Sequence, residues 1–278
     1  MIENKILEKV KTQILEENYP ILKTGFNDLD CILSGLENSS IVTIGARPSM
    51  GKTAFITAIM LNLLEQKKKC LFFSLEMSKN QFIKRLVPPM TNIEAIKIFT
   101  NNKQLNSQEK EKVINAIDKI SKYKLTIIDD DIDIIQIKEY VETVKPEYVF
   151  IDYIQLIKLP ANVERDSAML NFMKELKVIA NQNNCIIFIT SQVSRTVKRR
   201  NSKWPMLHDL KEYGCLEDIS DVVLFIYREE YYNLKDEYNK GKAQINIAKN
   251  KNGYVGTVNI LFKANIIKFL EAPSIEIF

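Results

Sequence analysis

The chain has 278 residues, of which 46% are hydrophobic, 39 are Lys or Arg and 35 are Asp or Glu, for a formal net charge of +4. This length and apolar content suffice for the core of one large α/β domain or two small ones, and they exclude a disordered or fibrous chain. The mild positive charge permits a polyanionic partner without demonstrating one.

Cysteine usage and the absence of long apolar runs bound the environment of the protein. The four cysteines lie far apart with no C-x-x-C pair, and the chain has a single histidine, His208. This pattern argues against a zinc site or a disulfide framework and predicts reduced thiols in a cytoplasmic protein. The N-terminus lacks a signal-peptide stretch, and no run approaches the roughly 18 apolar residues of a membrane span, so we expect no membrane partner.

The first predicted element is an amphipathic helix over residues 1–20. Ile2, Ile6, Val10 and Ile14 recur every four positions, and Pro20 discourages continuation. Periodicity alone leaves two interpretations open: the helix caps its own domain, or it is an arm that lies on a neighbouring subunit. Residues 21–278 are predicted to form one domain.

From residue 39 onward, short β-rich runs alternate with helical patterns. The runs are mostly continuous and apolar, as in strands buried on both faces, and cover 39–46, 70–76, 125–130, 148–157, 185–192 and 221–228. Helix-like stretches between the first five cover 51–66, 107–122, 133–144 and 166–183. The alternation predicts an α/β fold with right-handed crossovers and a mainly parallel central sheet flanked by helices. The segments 243–250, 256–263 and 266–271 predict antiparallel strands at the C-terminal edge.

The first buried strand leads into "ARPSMGKT", which nearly fits the phosphate-loop pattern G-x-x-x-x-G-K-[ST]. Ala46 stands where the pattern has its first glycine, which is tolerable if its backbone angles are not left-handed. The following Gly-Lys-Thr supplies N–H groups at a helix N-terminus, a lysine for the phosphates and a hydroxyl for Mg²⁺, which an ordinary strand-to-helix turn would not need together. The predicted ATP-binding residues are Ala46, Arg47, Pro48, Ser49, Met50, Gly51, Lys52, Thr53 and Ala54.

Polar residues at the ends of three other predicted strands add to this site. Asp152 follows an apolar run, where a carboxylate points into the ligand crevice and can hold Mg²⁺ with Thr53. Glu76 is the candidate to activate the attacking water, although a glutamate there could instead be solvated or cap the following helix. Gln192 offers an amide able to sense the γ-phosphate.

Together, "ARPSMGKT", "FSLEMS", "FIDYIQL", "SQVSR", "DLKEYGCLEDISDVVLFIYR" and "IAKNKNG" occur in the order found in one known family. The chain resembles, over about residues 21–263, the RecA-like C-terminal ATPase domain of DnaB-type replicative DNA helicases. The resemblance implies a RecA-like P-loop ATPase that forms a hexameric ring, uses ATP and Mg²⁺, translocates on single-stranded DNA and unwinds duplex in DNA replication.

The resemblance also implies roles for single residues. Lys52 binds phosphates, Thr53 and Asp152 hold Mg²⁺, Glu76 is the catalytic base, and Gln192 couples the γ-phosphate to DNA contacts. Lys249 matches a lysine that reaches the ATP of the neighbouring subunit. Lys251 stands where the family has an arginine with the same reach, and lysine lacks the planar fork of arginine. Two outcomes stay open: hydrolysis is slower, or Lys251 suffices with a rearranged partner.

DNA contacts are expected from two segments. By resemblance, "DLKEYG" forms a DNA-binding loop through Lys211, Glu212 and Gly214, with Lys211 in place of an arginine that contacts the DNA backbone. The basic run "RTVKRRNSKW" is either a solvated loop or a channel-lining segment in which Trp204 stacks on a base. Its candidate DNA-binding residues are Arg195, Lys198, Arg199 and Arg200, whereas Tyr227, Tyr231, Tyr232 and Tyr238 are expected to be packing and surface residues.

The family's usual chain carries an N-terminal collar that stabilises the ring and docks primase, whereas 20 residues precede the motor here. We expect either a fragment or a short paralogue, with the first helix as a linker on the next subunit and with a primase or helicase loader as partner. Two alternatives stay open: a catalytically weak ATP-binding paralogue acting as an interaction or regulatory module, and a RecA-like strand-exchange or signalling ATPase. The segment 209–228 argues against the latter because it matches the helicase group more closely.

Overall fold

A nine-stranded mixed sheet forms the centre of the protein. The computed structural model describes residues 7, 8, 11, 12, 15, 23–100, 105–194, 196, 197, 200–233 and 235–272, and for 211–213 it describes the backbone alone. The strand order is β3-β2-β4-β5-β1-β6-β7-β8-β9. The strands are β1 Ile41–Ala46, β2 Cys70–Ser74, β3 Leu125–Ile128, β4 Tyr148–Asp152, β5 Ile186–Gln192, β6 Val222–Tyr227, β7 Lys242–Asn250, β8 Gly256–Lys263 and β9 Lys268–Glu271.

The sheet has a parallel part and an antiparallel part. Strands β1 to β6 pair with one another in parallel, whereas β7, β8 and β9 extend the sheet antiparallel from β6. Strands β1, β2, β4 and β6 are buried along their whole length, which explains their unbroken apolar sequence. The predicted α/β fold with an antiparallel C-terminal edge is therefore confirmed.

Eight α-helices have described bounds. They are α1 Asn27–Leu33, α2 Lys52–Glu65, α3 Lys79–Thr91, α4 Ala95–Phe99, α5 Ser107–Ser121, α6 Ile134–Val144, α7 Arg165–Asn183 and α8 Cys215–Ile219. The four predicted helices correspond to α2, α5, α6 and α7, each within one residue of its predicted limits. Capping boxes at Asn106 and Asp133 start α5 and α6, because each side chain accepts the N–H of the third helical residue.

Helix α3 had no counterpart among the predicted elements. It contains Pro88 and Pro89, which cannot donate the N–H bonds of a regular helix. Both prolines fall in its last turns, and Ser78 starts it with a capping box to Gln81. The fully buried Phe82 stacks on Phe72 of β2, so core packing holds a helix that local sequence disfavours.

Two apolar clusters cover the sheet. One contains residues of α2 and α3, and the other contains residues of α6 and α7. No helix in the described part of the chain is long and apolar enough to cross a membrane. The predicted first helix lies mostly outside the described residues, so its role stays a prediction.

Candidate nucleotide site and subunit interface

The phosphate loop connects β1 to α2 at the carboxyl edge of the parallel strands. Within it, Ser49 (φ 67°) and Gly51 (φ 99°) have left-handed backbone angles. Ala46 does not: it is the last residue of β1, fully buried, and paired with Gln192 of β5. The methyl group of Ala46 therefore costs nothing in backbone strain, which explains why this loop departs from the strict pattern.

The glycine one position earlier has a packing role. A Cβ atom on Gly45 would lie 2.6 Å from the ring of Phe225 on the neighbouring strand β6. Phe225 is fully buried and has no room to give way. Gly45 thus lets the two strands pack, whereas Gly51 provides the left-handed turn that begins α2.

Lys52 is the first residue of α2 and points back across the loop. Its Nζ lies 3.5 Å from the carbonyl oxygen of Ala46. Burial lowers the pKa of Lys52, against the opposing effect of the carboxylates of Asp152 and Glu76. The ammonium group therefore belongs to the same electrostatic cluster as the two predicted acids.

Asp152 ends β4 and is only 1% exposed. Its Oδ1 accepts a hydrogen bond from the hydroxyl of Thr190 on β5. Its Oδ2 is buried and has no hydrogen-bond partner among the described residues. A buried carboxylate oxygen without a donor is explained by a cation, and Mg²⁺ commonly binds one or two carboxylates together with substrate phosphates. Asp152 therefore fits Mg²⁺, and the hydroxyl of Thr53 stays the predicted second protein ligand.

Glu76 lies two residues beyond β2, whose last residue, Ser74, pairs with Asp152 in the sheet. Its side chain is exposed. The cap of the following helix is Ser78, so the interpretation of Glu76 as a helix cap is wrong. An exposed carboxylate beside the phosphate loop has the access to water that a general base needs.

Gln192 is held at the end of β5 by residues that follow β4. Its backbone N–H donates to Gln155 Oε1 (3.3 Å), and Gln155 Nε2 donates to Ser191 Oγ (2.9 Å). Burial raises the pKa of Tyr153, helped by Glu76 and Asp152 and opposed by a hydrogen bond from the Gln192 side chain. Gln192 therefore contacts the same group of residues as the two acids.

Lys249 and Lys251 lie at the amino-terminal ends of the parallel strands, opposite to the carboxyl ends where the phosphate loop lies. Because β7 is antiparallel to β6, Lys249 pairs with Val223, and Lys251 N donates to the carbonyl of Asp221 (2.9 Å) just before β6. Asp221 also bonds to the first residue of β1. The length of β1, roughly 17 Å at 3.3 Å per residue, separates this edge from the phosphate loop. These two lysines are therefore not brought together with Lys52 and Asp152 of the same chain.

The predicted DNA-binding residues are partly described. Gly214 is exposed, has φ −54°, and a Cβ on it would meet no atom of the described residues within 4 Å. Arg200 donates to Asp209 Oδ2 (2.6 Å) and to the carbonyl of Trp204 (2.9 Å), so it holds its own loop together. Residues Arg195, Lys198 and Arg199, and the side chains of Lys211 and Glu212, lie outside what the structure describes.

Trp204 stacks on a tyrosine of the same chain. Its ring centroid is 4.7 Å from that of Tyr227, which in turn stacks on Tyr232 at 5.9 Å. These tyrosines therefore act as packing residues, as predicted for them. The stack attaches the basic segment to the end of β6.

A model of the DnaB-like helicase C-terminal domain matches residues 22–271 of this chain. The chain belongs to the DnaB-like helicase C-terminal domain family. The family resemblance expected from the motifs is thus confirmed. Among solved structures, a separately solved ATPase domain is 33% identical with a TM-score of 0.91, over 97% of this chain and 98% of that one.

Two longer relatives are named as replicative DNA helicases. The replicative DNA helicase DnaB of Geobacillus stearothermophilus is 35% identical over 257 residues, which cover 90% of this chain and 56% of that protein. A probable replicative DNA helicase of Trieres chinensis is 35% identical over 261 residues. A solved DnaB-like replicative helicase, described with its interactions with primase, matches 98% of this chain at 32% identity, with a TM-score of 0.91. The chain thus spans a little over half the length of the curated relatives it matches.

Two arginines of this DnaB-like domain lie near the site but were not among the predicted site residues. Burial lowers the pKa of Arg85 on α3, against the carboxylates of Asp152 and Glu76, and its Nε has no partner among the described residues. Arg228, after β6, donates to the carbonyl of Ser49 in the phosphate loop (3.3 Å) and lies over the ring of Phe262. The local sequence around each arginine does not predict a position near the site, because tertiary packing brings both of them there.

Proposed function

We propose that this chain is the motor of a ring-forming DNA helicase, which hydrolyses ATP between subunits, translocates on single-stranded DNA and unwinds duplex in replication. Family membership supports ATP-dependent helicase activity. Because the chain spans a little over half the length of these relatives, the activity of the whole protein is also a proposal. The proposed substrates are ATP with Mg²⁺ and single-stranded DNA.

One observation supports the ring: the two groups of residues that are proposed to act on ATP lie at opposite ends of the parallel strands. Lys52, Thr53 and Asp152 lie at the carboxyl edge of the sheet, whereas Lys249 and Lys251 lie at the opposite edge. Two basic residues at the far edge cannot reach a nucleotide bound by their own phosphate loop. If they act on ATP, they act on the ATP of the next subunit, which a closed ring of six copies provides at every interface.

In the proposed mechanism, the loop N–H groups and Lys52 bind the phosphates, while Thr53 and Asp152 hold Mg²⁺. Mg²⁺ held by these residues would supply charge neutralisation for the phosphate oxygens. Glu76 accepts a proton from the attacking water, because its carboxylate is exposed beside the loop. Gln192 senses the γ-phosphate, and its hydrogen bonds to the segment after β4 transmit the change.

DNA binding is proposed for the segment that follows β5. Gly214 supports this role, since neither its φ nor any neighbouring atom of the described residues requires a glycine there, and a missing side chain lets a ligand approach the backbone. Lys211, Glu212, Arg195, Lys198 and Arg199 complete the proposed set. Arg200 would take part indirectly, through its ion pair with Asp209, which shapes the loop.

Further partners follow from the relatives. A similar helicase is described together with primase, and a primase or a helicase loader is the corresponding proposed partner here. The segment 1–20 is proposed as an arm that packs on the next subunit. The cytoplasmic location stays a prediction.

A second candidate function is a catalytically weak ATP-binding module. It is favoured by the lysine at position 251, whose Nζ lies 3.7 Å from the carboxylate of Asp221 in its own subunit. Lysine is a flexible point charge, and arginine fingers contribute about 10³ to 10⁵ in rate. A chain with this substitution could bind nucleotide well and hydrolyse it slowly.

The test is ATP hydrolysis with and without single-stranded DNA, at a stated salt concentration because phosphate contacts depend on salt. Glu76→Gln is the blank, and Lys52→Ala removes the phosphate-binding lysine. The motor predicts DNA-stimulated turnover that both substitutions abolish. Nucleotide binding with turnover no higher than the blank would favour the weak module instead, and turnover retained by Lys52→Ala would remove the loop from the mechanism.

A further inference from the structure

Lys249 is engaged within its own subunit. Its Nζ donates to the main-chain carbonyls of Glu217 (2.7 Å) and Asp218 (3.2 Å), near the end of α8. A β-bulge precedes it, because Val223 pairs with Lys249 while Leu224 pairs with Ile247, which leaves Ala248 as the extra residue. Bulges change the direction of the side chains around them, so the bulge contributes to aiming Lys249 at α8.

Helix α8 is short, and the contact with Lys249 stabilises it. It has five residues and its N-cap, Gly214, offers no side-chain hydrogen bond. The last carbonyls of a helix have no partner within the helix, and they attract cations. The ammonium group of Lys249 supplies both the hydrogen bonds and the charge.

Helix α8 continues directly from the proposed DNA loop. The 3₁₀ segment Leu207–Tyr213 and α8 together run from the carboxyl edge of the sheet to the edge where Lys249 lies. At the carboxyl edge, Ser194 N donates to the carbonyl of Asp209 (3.0 Å). The adjacent Val193 donates its N–H to Ala46 (3.1 Å) and accepts from Arg47 Nη1 (3.2 Å), both in the phosphate loop.

The segment 207–219 is thus linked at one end, through Ser194 and Val193, to the phosphate loop of its own subunit, and at the other end to Lys249. We propose that Lys249 is a positioning residue with two alternative acceptors, the α8 carbonyls of its own subunit and the phosphates of the nucleotide on the next subunit. This inference rests on the proposed function, which puts those phosphates within its reach. Nucleotide binding at one interface then releases α8 and the DNA loop of the adjacent subunit.

The phosphates are the stronger of the two acceptors that compete for Lys249. Hydrogen bonds between an ammonium and an anionic phosphate are stronger than those to neutral carbonyls, so Lys249 leaves α8 when a phosphate is near. Ser220 stays attached to β1 through its hydroxyl contact with Thr43 (2.7 Å), which confines the movement to the residues before it. By linkage, DNA that holds the loop in one position also changes nucleotide affinity at the next interface.

Hydrogen–deuterium exchange of the full chain tests the proposal. The N–H groups of Glu217, Asp218 and Ser220 bond within α8, so their exchange reports how often the helix opens. Without nucleotide, Lys249→Met should exchange about two- to fivefold faster there than the unmodified chain, the size expected for a lost cation at a helix end. Lys249→Arg, which keeps the charge and the donors, should restore slow exchange.

The nucleotide response separates a switch from a purely structural contact. A magnesium-bound, non-hydrolysable ATP analogue should speed exchange of α8 in the unmodified chain and cause no further change in Lys249→Met. Lys263→Met, at an exposed lysine at the end of β8 on the same hairpin, should keep the response.

Equal exchange in Lys249→Met and the unmodified chain, or a full-sized analogue response in Lys249→Met, would overturn the proposal. Binding of the analogue is measured in the same samples. Failure to bind would refute the proposed function, whereas binding without the α8 response would refute this inference alone.

Discussion

Replacing Ala46 with glycine would restore the strict phosphate-loop pattern, and we expect it to weaken the fold without improving nucleotide binding. Ala46 is fully buried in β1, and its carbonyl accepts the N–H of Val193 at 3.1 Å. Loss of the buried methyl costs about 0.8 kcal/mol. The added backbone freedom of glycine costs about 0.5 to 1 kcal/mol. The total of about 1.5 kcal/mol corresponds to a fall in Tm of about 3 to 6 °C for a domain of this size.

The assay is thermal unfolding together with titration of a magnesium-bound ATP analogue. Ala180→Gly, at a fully buried alanine of α7, is the matched control for the stability loss. Gly51→Ala is the positive control for the loop, because its φ of 99° and a Cβ 3.1 Å from Phe269 should disrupt it. We expect Ala46→Gly to keep the nucleotide Kd within about twofold, as its backbone is not left-handed. Tenfold tighter binding, or an unchanged Tm, would refute the reasoning.

Three further predictions concern residues of the proposed ATP site and the hydrogen bond that holds Asp152. Lys251→Arg should raise ATP turnover at least about tenfold, because the guanidinium fork matches phosphate oxygens; an unchanged rate in steady-state assays would mean an interface rebuilt around lysine. Thr190→Val should lower the free energy of unfolding by about 1 to 3 kcal/mol in urea titrations, since buried Asp152 loses its donor; unaltered stability would contradict that bond. Burial lowers the pKa of Lys52, and its ammonium form binds phosphate, so nucleotide affinity should be full below that pKa and fall as pH rises through it. Lys52→Arg should show a flatter titration, and matching profiles would argue against Lys52 as the titrating group.

Much of the fold could be predicted because its signals are local. Strands buried on both faces are continuous apolar runs, and helices α5 and α6 begin at residues that form capping boxes. Helix α3 was missed because Pro88 and Pro89 are local evidence against a helix. Its stability comes from the burial of Phe82 and Leu86 against residues distant in sequence, and the local sequence does not predict that burial.

The candidate site divides in the same way. Lys52, Asp152 and Glu76 could be predicted because strand ends and a motif locate them along the chain. The contacts of Arg85 and Arg228 with the site depend on how distant segments pack. The opposite-edge position of Lys249 depends on the antiparallel pairing of β7 with β6, which the sequence suggested only as an antiparallel extension.

The central claim is that ATP is hydrolysed between subunits, and mixing two inactive variants tests it most directly. Glu76→Gln lacks the base but keeps the far-edge lysines, whereas Lys249→Ala/Lys251→Ala lacks those lysines but keeps Glu76. Each should be inactive alone. An equal mixture, with mixed assembly verified by tag capture, should recover about a quarter of the basal turnover, because one interface in four then combines both working halves. Full turnover by the double lysine variant alone, or no recovery in verified mixed assemblies, would contradict the account.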